Sequence, residues 1–286
     1  MEPWIIYGLI GATFMGIGNF YSKLITEKGI NRNRVFIYSM FSFTLVSFIF
    51  LLVNSSHLYA SIFIAILALI RVATGIEKHL FSMESLKYIE SSIYFPIHQI
   101  IHIFLVLIVG GVFFHEYLNI PQMIAVLLWI MIVLFLTDKE NRSIQVDYKK
   151  GFLFLLISNV FLLTSSSINK YIAHIGFDIP TYIFISGLAG TLYVAFTKKD
   201  AFDTVEKEKK LQEMKVWFSR GLFFSIWYLC VLYALQSWPF VLVQVLLILS
   251  ILIPILLSIF FFDEKINNKK IWALLLFIAM IFLMNI

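Results

Sequence analysis

The sequence predicts an all-α polytopic membrane protein with ten transmembrane helices arranged as two inverted five-helix repeats. Of its 286 residues, 60% are hydrophobic and 14% are charged, whereas soluble domains have about 45–50% apolar and about 25% charged residues. The apolar runs are continuous and long enough for membrane helices of about 20 residues each. Similar short motifs also recur in the two halves of the chain.

Ten apolar segments follow one another along the chain. They are rich in Ile, Leu and Phe without alternation, which favours membrane helices over barrel strands. Charged residues interrupt the third segment, so we expect its helix to continue beyond the bilayer. The predicted spans are residues 4–26, 34–53, 58–80, 91–113, 119–137, 151–172, 179–197, 216–236, 239–262 and 270–285.

Positive charges cluster in the loops after the odd-numbered spans. The even-numbered loops and both termini carry almost none. By the positive-inside rule, the odd-numbered loops are cytoplasmic and both termini lie outside the cytoplasm. Topology therefore explains the formal charge of +5, and we expect the lipid bilayer, not nucleic acid, as the surrounding partner.

The two halves of the chain match at a nearly constant offset. His115–Asn119 aligns with Asp263–Asn267 at a shift of 148 residues, and Lys23–Gly29 aligns with Lys170–Gly176 at a shift of 147. Five spans per half is an odd number, so the second half must enter the membrane in the opposite direction, as in many transporters. The predicted repeats are residues 1–140 and 141–286.

Matching motifs also mark the fourth and ninth spans. Ser85–Ser92 precedes and begins the fourth span, and Tyr233–Gln236 stands at the equivalent place in the second half. They are similar to the A-L-x-Y-x-x-A-s motif of the drug/metabolite transporter superfamily, in its ten-helix EamA-like form. The resemblance covers essentially the whole chain. It implies transport of a small organic molecule through a central cavity lined mainly by helices 1, 3, 4, 6, 8 and 9.

Two features depart from that family. Its G-E step between the last two helices of each repeat resembles His115-Glu116 and Asp263-Glu264, but the glycine is replaced in both. Members of the family usually have both termini in the cytoplasm, opposite to the orientation that the loop charges indicate.

The fourth span carries a polar stripe. Tyr94, His98 and His102 share one helix face with Ser91, and Gln99 borders it. Polar side chains at bilayer depth are costly unless they are paired or face a wet cavity, so this stripe is a candidate substrate surface. The histidines could also carry a coupled proton or simply hydrogen-bond neighbouring helices.

No metal or cofactor is expected. The His-x-x-x-His spacing could place two imidazoles on one metal, but the fourth span supplies no further ligands. The chain contains no G-x-x-x-x-G-K-[ST] string, so we expect energy from a gradient, such as a proton gradient, or from exchange with a counter-substrate.

Several basic side chains lie within the spans. Arg71 falls near the middle of the third span, where a charge costs at least about 2.5 kcal/mol, so we expect a substrate anion, a helix carbonyl or a carboxylate such as Glu77 to compensate it. Lys23, Lys170 and Arg220 lie nearer helix ends, where we expect their side chains to reach the interface.

Neutral polar and aromatic residues complete the candidate substrate site. Each could line a cavity, as the family resemblance implies, or form a hydrogen bond between helices, which contributes about 0.6 kcal/mol to stability on average. These residues are Asn19, Asn169, Trp227, Tyr228 and Gln244.

The sequence therefore predicts a secondary transporter for a small organic metabolite or drug, and not an enzyme. The alternatives are a flippase for lipid-linked substrates or a membrane-embedded enzyme. Small-residue stripes at Gly8–Gly16 and Ser186–Gly190 indicate close helix contacts, within one chain or between copies in a homodimer. We expect a multi-pass protein of a bacterial inner (plasma) membrane.

Overall fold

The protein folds into a bundle of α-helices. The computed structural model describes residues 3–27, 32–54, 61–85, 87–89, 91–136, 147–197, 207–247, 250 and 268–284. Ten α-helices lie in these ranges, which contain no strand. They are α1 Pro3–Glu27, α2 Arg32–Val53, α3 Ile62–Ser85, α4 Ser91–Phe113, α5 Ile120–Leu136, α6 Tyr148–His174, α7 Ile179–Thr197, α8 Lys207–Ser237, α9 Phe240–Leu247 and α10 Asn268–Met284.

Each predicted span overlaps one helix, with differences at the ends; of the ninth span, only residues 240–247 and 250 belong to the described part of the chain. The third helix does continue past its apolar segment, to Ser85, and α8 begins at Lys207, nine residues before the predicted span. Lys, Glu and Gln are good helix formers, so the helix extends through this charged stretch although hydropathy does not detect it. The predicted Asp263-Glu264 step lies outside the described residues.

Several helices are suited to a lipid environment. Four are long and apolar enough to cross a membrane, and they contain the stretches Phe36–Val53, Lys149–His174, Ile179–Thr197 and Phe218–Ser237. Large apolar side chains are exposed on the outside of the bundle, which is typical of a membrane-facing surface. Examples are Val53, Phe113 and Phe196, with 75%, 72% and 76% of their surface exposed.

The interior is organised around long helix pairs. The most extensive contacts join α1 to α8 and α3 to α6, while α2 packs on α7 and α5 packs on α10. Small residues allow the close approaches: a Cβ on Gly221 of α8 would lie 2.5 Å from Ser42 of α2, and one on Gly187 of α7 would lie 2.8 Å from Thr44. Such contacts are typical of membrane helix interfaces.

Short polar turns connect helices at one end of the bundle. Before α5, Asn119 Oδ1 accepts from the Gln122 amide at 2.9 Å, and Gln122 Oε1 accepts from the Asn119 amide at 3.1 Å. This reciprocal pair is a capping box. Before α7, Asp178 Oδ2 accepts from the Thr181 amide at 2.9 Å, so side chains satisfy amides that the helix starts leave open.

Candidate functional site

A guanidinium–aromatic stack lies inside the bundle. The Arg71 guanidinium carbon is 4.0 Å from the centroid of the Tyr228 ring, a cation–π contact between α3 and α8. The Tyr228 hydroxyl donates to Asn169 Oδ1 at 2.7 Å, which adds α6 to the group. Arg71 lies nine residues, or about 13 Å, from the start of α3, which places the stack in the middle part of this helix.

Several polar groups around this stack lack a well-placed hydrogen-bond partner. Arg71 Nε is buried and has none. The buried hydroxyls of Tyr182 and Ser186 make no hydrogen bond of good geometry, although they lie close to each other and to the Tyr228 hydroxyl. The Tyr182 ring lies 6.4 Å from the Tyr228 ring, and Ser186 follows one turn later on α7. Leaving such groups unpaired costs about 1–3 kcal/mol each, so this part of the interior is suited to a ligand with hydrogen-bond acceptors.

The polar stripe on α4 points into the bundle. Tyr94, His98 and His102 are at most 4% exposed. His98 Nε2 lies 3.5 Å from Ser158 Oγ on α6, and His102 Nε2 lies 3.5 Å from Gln244 Oε1 on α9. The histidines thus do contact neighbouring helices, and their role toward a substrate or a proton stays a prediction.

A second basic residue shares the Arg71 face of α3. Lys78 comes seven residues later, which is two turns and returns to the same side of the helix. Ser82, one turn further on, lies 2.7 Å from Ser158 through its hydroxyl, so this face of α3 is directed at α6. Lys78 is not among the site residues predicted from sequence, although its seven-residue spacing from Arg71 could have indicated it.

Glu77 does not compensate Arg71, contrary to one of the expectations from sequence. Its Oε1 accepts a hydrogen bond from the Tyr193 hydroxyl at 2.8 Å. Arg71 and Glu77 are six residues apart, and at 100° per residue they point to different sides of α3. Glu77 therefore faces α7, while the Arg71 guanidinium makes no ion pair with the described residues.

A buried ion pair closes one end of the bundle. Lys170 Nζ lies 2.6 Å from Glu116 Oε1, and their side chains are 6% and 13% exposed. Lys170 also donates to the carbonyls of Leu235 at 3.1 Å and Trp238 at 2.8 Å, and Glu116 Oε2 accepts from the Phe240 amide. We call this group the Lys170–Glu116 clasp; it joins the α4–α5 loop, α6 and the α8–α9 connection.

Burial of Lys170 and Arg220 corrects the expectation that they extend to the interface. They are only 5% and 8% exposed. Arg220 donates to Ser39 Oγ at 3.1 Å and lies 4.6 Å from the Phe224 ring centroid. Both cations find partners inside the bundle, which removes the need to reach water.

The remaining predicted site residues are distributed around this interior. Trp227 is half-buried, with its ring 5.9 Å from that of Tyr228, and Gln99 is half-buried beside the α4 stripe. Asn19 lies in α1, and its side chain is outside the described part of the chain.

Tyr182 was not predicted from the sequence, because a single tyrosine in an apolar span follows the same pattern as an aromatic residue of the core. Among the described residues, no group of three His, Cys, Asp or Glu could hold a metal ion.

Comparisons with known proteins address the family and the fold. No curated protein matches the chain. The chain is similar in fold to a solved structure whose title reads only "Crystal structure of protein". The two chains are 14% identical, the superposition covers 96% of each chain, and the TM-score is 0.72. A family model described as a sugar transport protein matches residues 6–286. Together with the apolar helices, this match identifies an integral membrane protein, and the chain belongs to the sugar transport protein family, a family of transporters.

Proposed function

We propose that this protein is a secondary transporter that moves a sugar or a similar small organic molecule across the membrane by alternating access. The observation that carries the proposal is the set of polar groups without a well-placed hydrogen-bond partner next to the Arg71–Tyr228 stack, deep in the bundle. Binding sites of secondary transporters lie near the middle of the membrane. Aromatic rings with a few oriented polar groups are also typical of small-molecule sites.

The helix packing supports two inverted repeats, residues 1–140 and 141–286, as in the drug/metabolite transporter superfamily. If α1–α5 correspond to α6–α10, the α1–α8 contact has its counterpart in α6–α3. In the same way α2–α8 corresponds to α7–α3, and α1–α9 corresponds to α6–α4; all of these pairs are present. Two repeats related by a twofold axis in the membrane plane would give such pairs of equivalent helix contacts.

One departure from this pattern supports alternating access. α6 packs against α8, whereas their counterparts α1 and α3 make little contact through their described residues. The Lys170–Glu116 clasp lies where α6 and α8 meet. By the loop charges this end faces away from the cytoplasm, so we interpret the structure as closed on the outer side.

The driving force in this proposal is a proton gradient or exchange with a counter-substrate. In this proposal, the protein resides in a bacterial inner (plasma) membrane. His98 and His102 are the groups we assign to proton coupling, since histidine changes its charge near neutral pH. The predicted substrate-contacting residues are Asn19, Arg71, Tyr94, His98, Gln99, His102, Asn169, Trp227, Tyr228 and Gln244.

Uptake into proteoliposomes tests the proposal. The purified protein is reconstituted and preloaded with an unlabelled sugar, and labelled sugars are added outside, including neutral hexoses and pentoses, sugar acids and sugar phosphates. We expect counterflow of at least one of them above protein-free vesicles. A reconstituted protein that is helical by circular dichroism and monodisperse, yet moves none of these sugars, would contradict the proposed function.

A further inference from the structure

Arg71 and Lys78 form a cationic stripe on α3, and we define it by these two residues. They are two turns apart, about 10 Å along the helix axis, and share one face. Both side chains are partly buried. A charge at bilayer depth is costly and marks a functional site unless a partner is present.

The described residues supply no carboxylate for this stripe. Neither Arg71 nor Lys78 makes an ion pair or a side-chain hydrogen bond to the described part of the chain, apart from the stacking of Arg71 on Tyr228. Two partly buried carboxylates, Glu77 and Glu116, are directed to Tyr193 and to Lys170. The nearby titratable side chains His98 and His102 carry no negative charge in either protonation state.

The groups close to Arg71 can all donate a hydrogen bond to an anion, although the hydroxyls among them can also accept. Arg71 Nε has no partner, and the hydroxyls of Tyr182 and Ser186 have none of good geometry. Asn169 Oδ1, beside the stack, already accepts from Tyr228. A neutral sugar hydroxyl cannot compensate a buried positive charge, whereas a phosphate or carboxylate brings both hydrogen-bond acceptors and a negative charge.

From these uncompensated positive charges we infer that the transported sugar carries an anionic group, a phosphate or a carboxylate, which Arg71 and Lys78 bind. The guanidinium presents a planar fork that matches either anion, and its stack on Tyr228 fixes the plane of that fork. Lys78 acts as a second, flexible point charge. This inference rests on the proposed function and specifies the substrate class of the same site.

Ligand-induced thermal stabilisation of the purified protein tests the inference directly. The probes are glucose, glucose 6-phosphate, glucuronate and inorganic phosphate, titrated at constant ionic strength. We expect both anionic sugars to bind at least about tenfold more tightly than glucose, as a charge-assisted hydrogen bond would give. The comparison of glucose 6-phosphate with glucuronate distinguishes a phosphate from a carboxylate substrate.

Matched variants separate the stripe from general charge effects. Arg71→Gln and Lys78→Gln should each weaken anionic-sugar binding by about tenfold or more, while Arg71→Lys should retain part of it. Lys87→Gln is the control, since Lys87 is exposed on a loop and 64% of its side-chain surface is accessible. If Arg71→Gln does not fold, Lys78→Gln and Arg71→Lys still decide the result.

Other outcomes would overturn the inference. Glucose that binds as tightly as its anionic derivatives, with no change in the stripe variants, would overturn the substrate class and leave the transporter intact. Inorganic phosphate that binds as tightly as glucose 6-phosphate would indicate an anion site without sugar recognition. The proposed function itself fails only when counterflow is absent for every sugar, neutral or anionic.

Discussion

Lys170 and Glu116, 54 positions apart in the sequence, form a 2.6 Å ion pair that is almost fully removed from solvent. The pair is not isolated. Lys170 reaches the carbonyls of Leu235 and Trp238, and Glu116 binds the first amide of α9. Each charge therefore has several hydrogen-bonding partners, which is the condition under which a buried ion pair is tolerated.

Removing one member of this pair should destabilise the protein strongly. In Lys170→Met or Glu116→Gln, the remaining partner stays buried without its counter-charge, and we expect a loss of about 3–5 kcal/mol. The double variant Lys170→Met/Glu116→Gln should lose less than the sum of the two. Thermal unfolding in detergent measures all three.

The exposed pair Lys87–Glu84 is the control for that experiment. It has the same 2.6 Å separation, but its side chains are 64% and 35% exposed. Solvent screens such pairs, so Lys87→Met should cost at most about 1 kcal/mol. Equal effects of Lys170→Met and Lys87→Met would show that burial of the clasp contributes nothing.

His115, next to Glu116, adopts a backbone conformation that favours glycine. Its φ is +52°, in the left-handed region that costs an L-residue about 1–2 kcal/mol. Because the His115 side chain is exposed, His115→Gly loses no packing, and we expect it to raise stability by about 0.5–1 kcal/mol after the entropic cost of glycine. The Tm of the variant in detergent checks this.

The matched variant is His115→Ala, which keeps a Cβ and should bring no gain. The sequence already showed that a histidine stands at the glycine of the G-E step. The structure adds the physical reason for glycine there, since the turn requires a positive φ. A Tm of His115→Gly equal to that of His115→Ala would contradict the backbone explanation.

The helices were predictable from sequence, whereas the partners of the buried charges were not. Hydropathy identifies continuous apolar runs, and each predicted span contains a helix. Lys170 lies near a helix end, so hydropathy and helical position alone suggest an interfacial side chain. Its partners, in the α4–α5 loop and at the end of α8, lie more than 50 residues away in both directions, and no local pattern encodes such contacts.

The histidines of α4 and Tyr182 of α7 illustrate the same limit. Helical periodicity correctly placed His98 and His102 on one face of α4, because that relation is local. It could not show that Ser158 and Gln244 would face them. It also gave no signal for Tyr182, whose position beside Tyr228 depends on how α7 packs on α8.

Gly221 allows α8 to approach α2, and adding a methyl group there should weaken that contact. In Gly221→Ala the new Cβ would lie 2.5 Å from Ser42 Cβ and 2.7 Å from the Ser39 carbonyl oxygen. We expect a loss of about 1–3 kcal/mol from overpacking, measured by thermal unfolding. Gly111→Ala is the control, since its Cβ would meet nothing within 4 Å. A Gly221→Ala protein as stable as Gly111→Ala would mean that the two helices are not in close contact.

The final prediction concerns the two buried histidines of α4 and the driving force. If a proton is carried on His98 or His102, an uncharged glutamine at that position removes the coupling while keeping a hydrogen-bonding side chain toward Ser158 or Gln244. In proteoliposomes, we expect net uptake by the wild type to rise with an inwardly directed proton gradient. His98→Gln or His102→Gln should abolish that dependence while counterflow, which needs no net proton movement, persists.

His174→Gln is the control, since this histidine is exposed near the end of α6. A gradient response that survives in both α4 variants would exclude these histidines as the proton carriers, and a wild type without any response would assign the driving force to a counter-substrate.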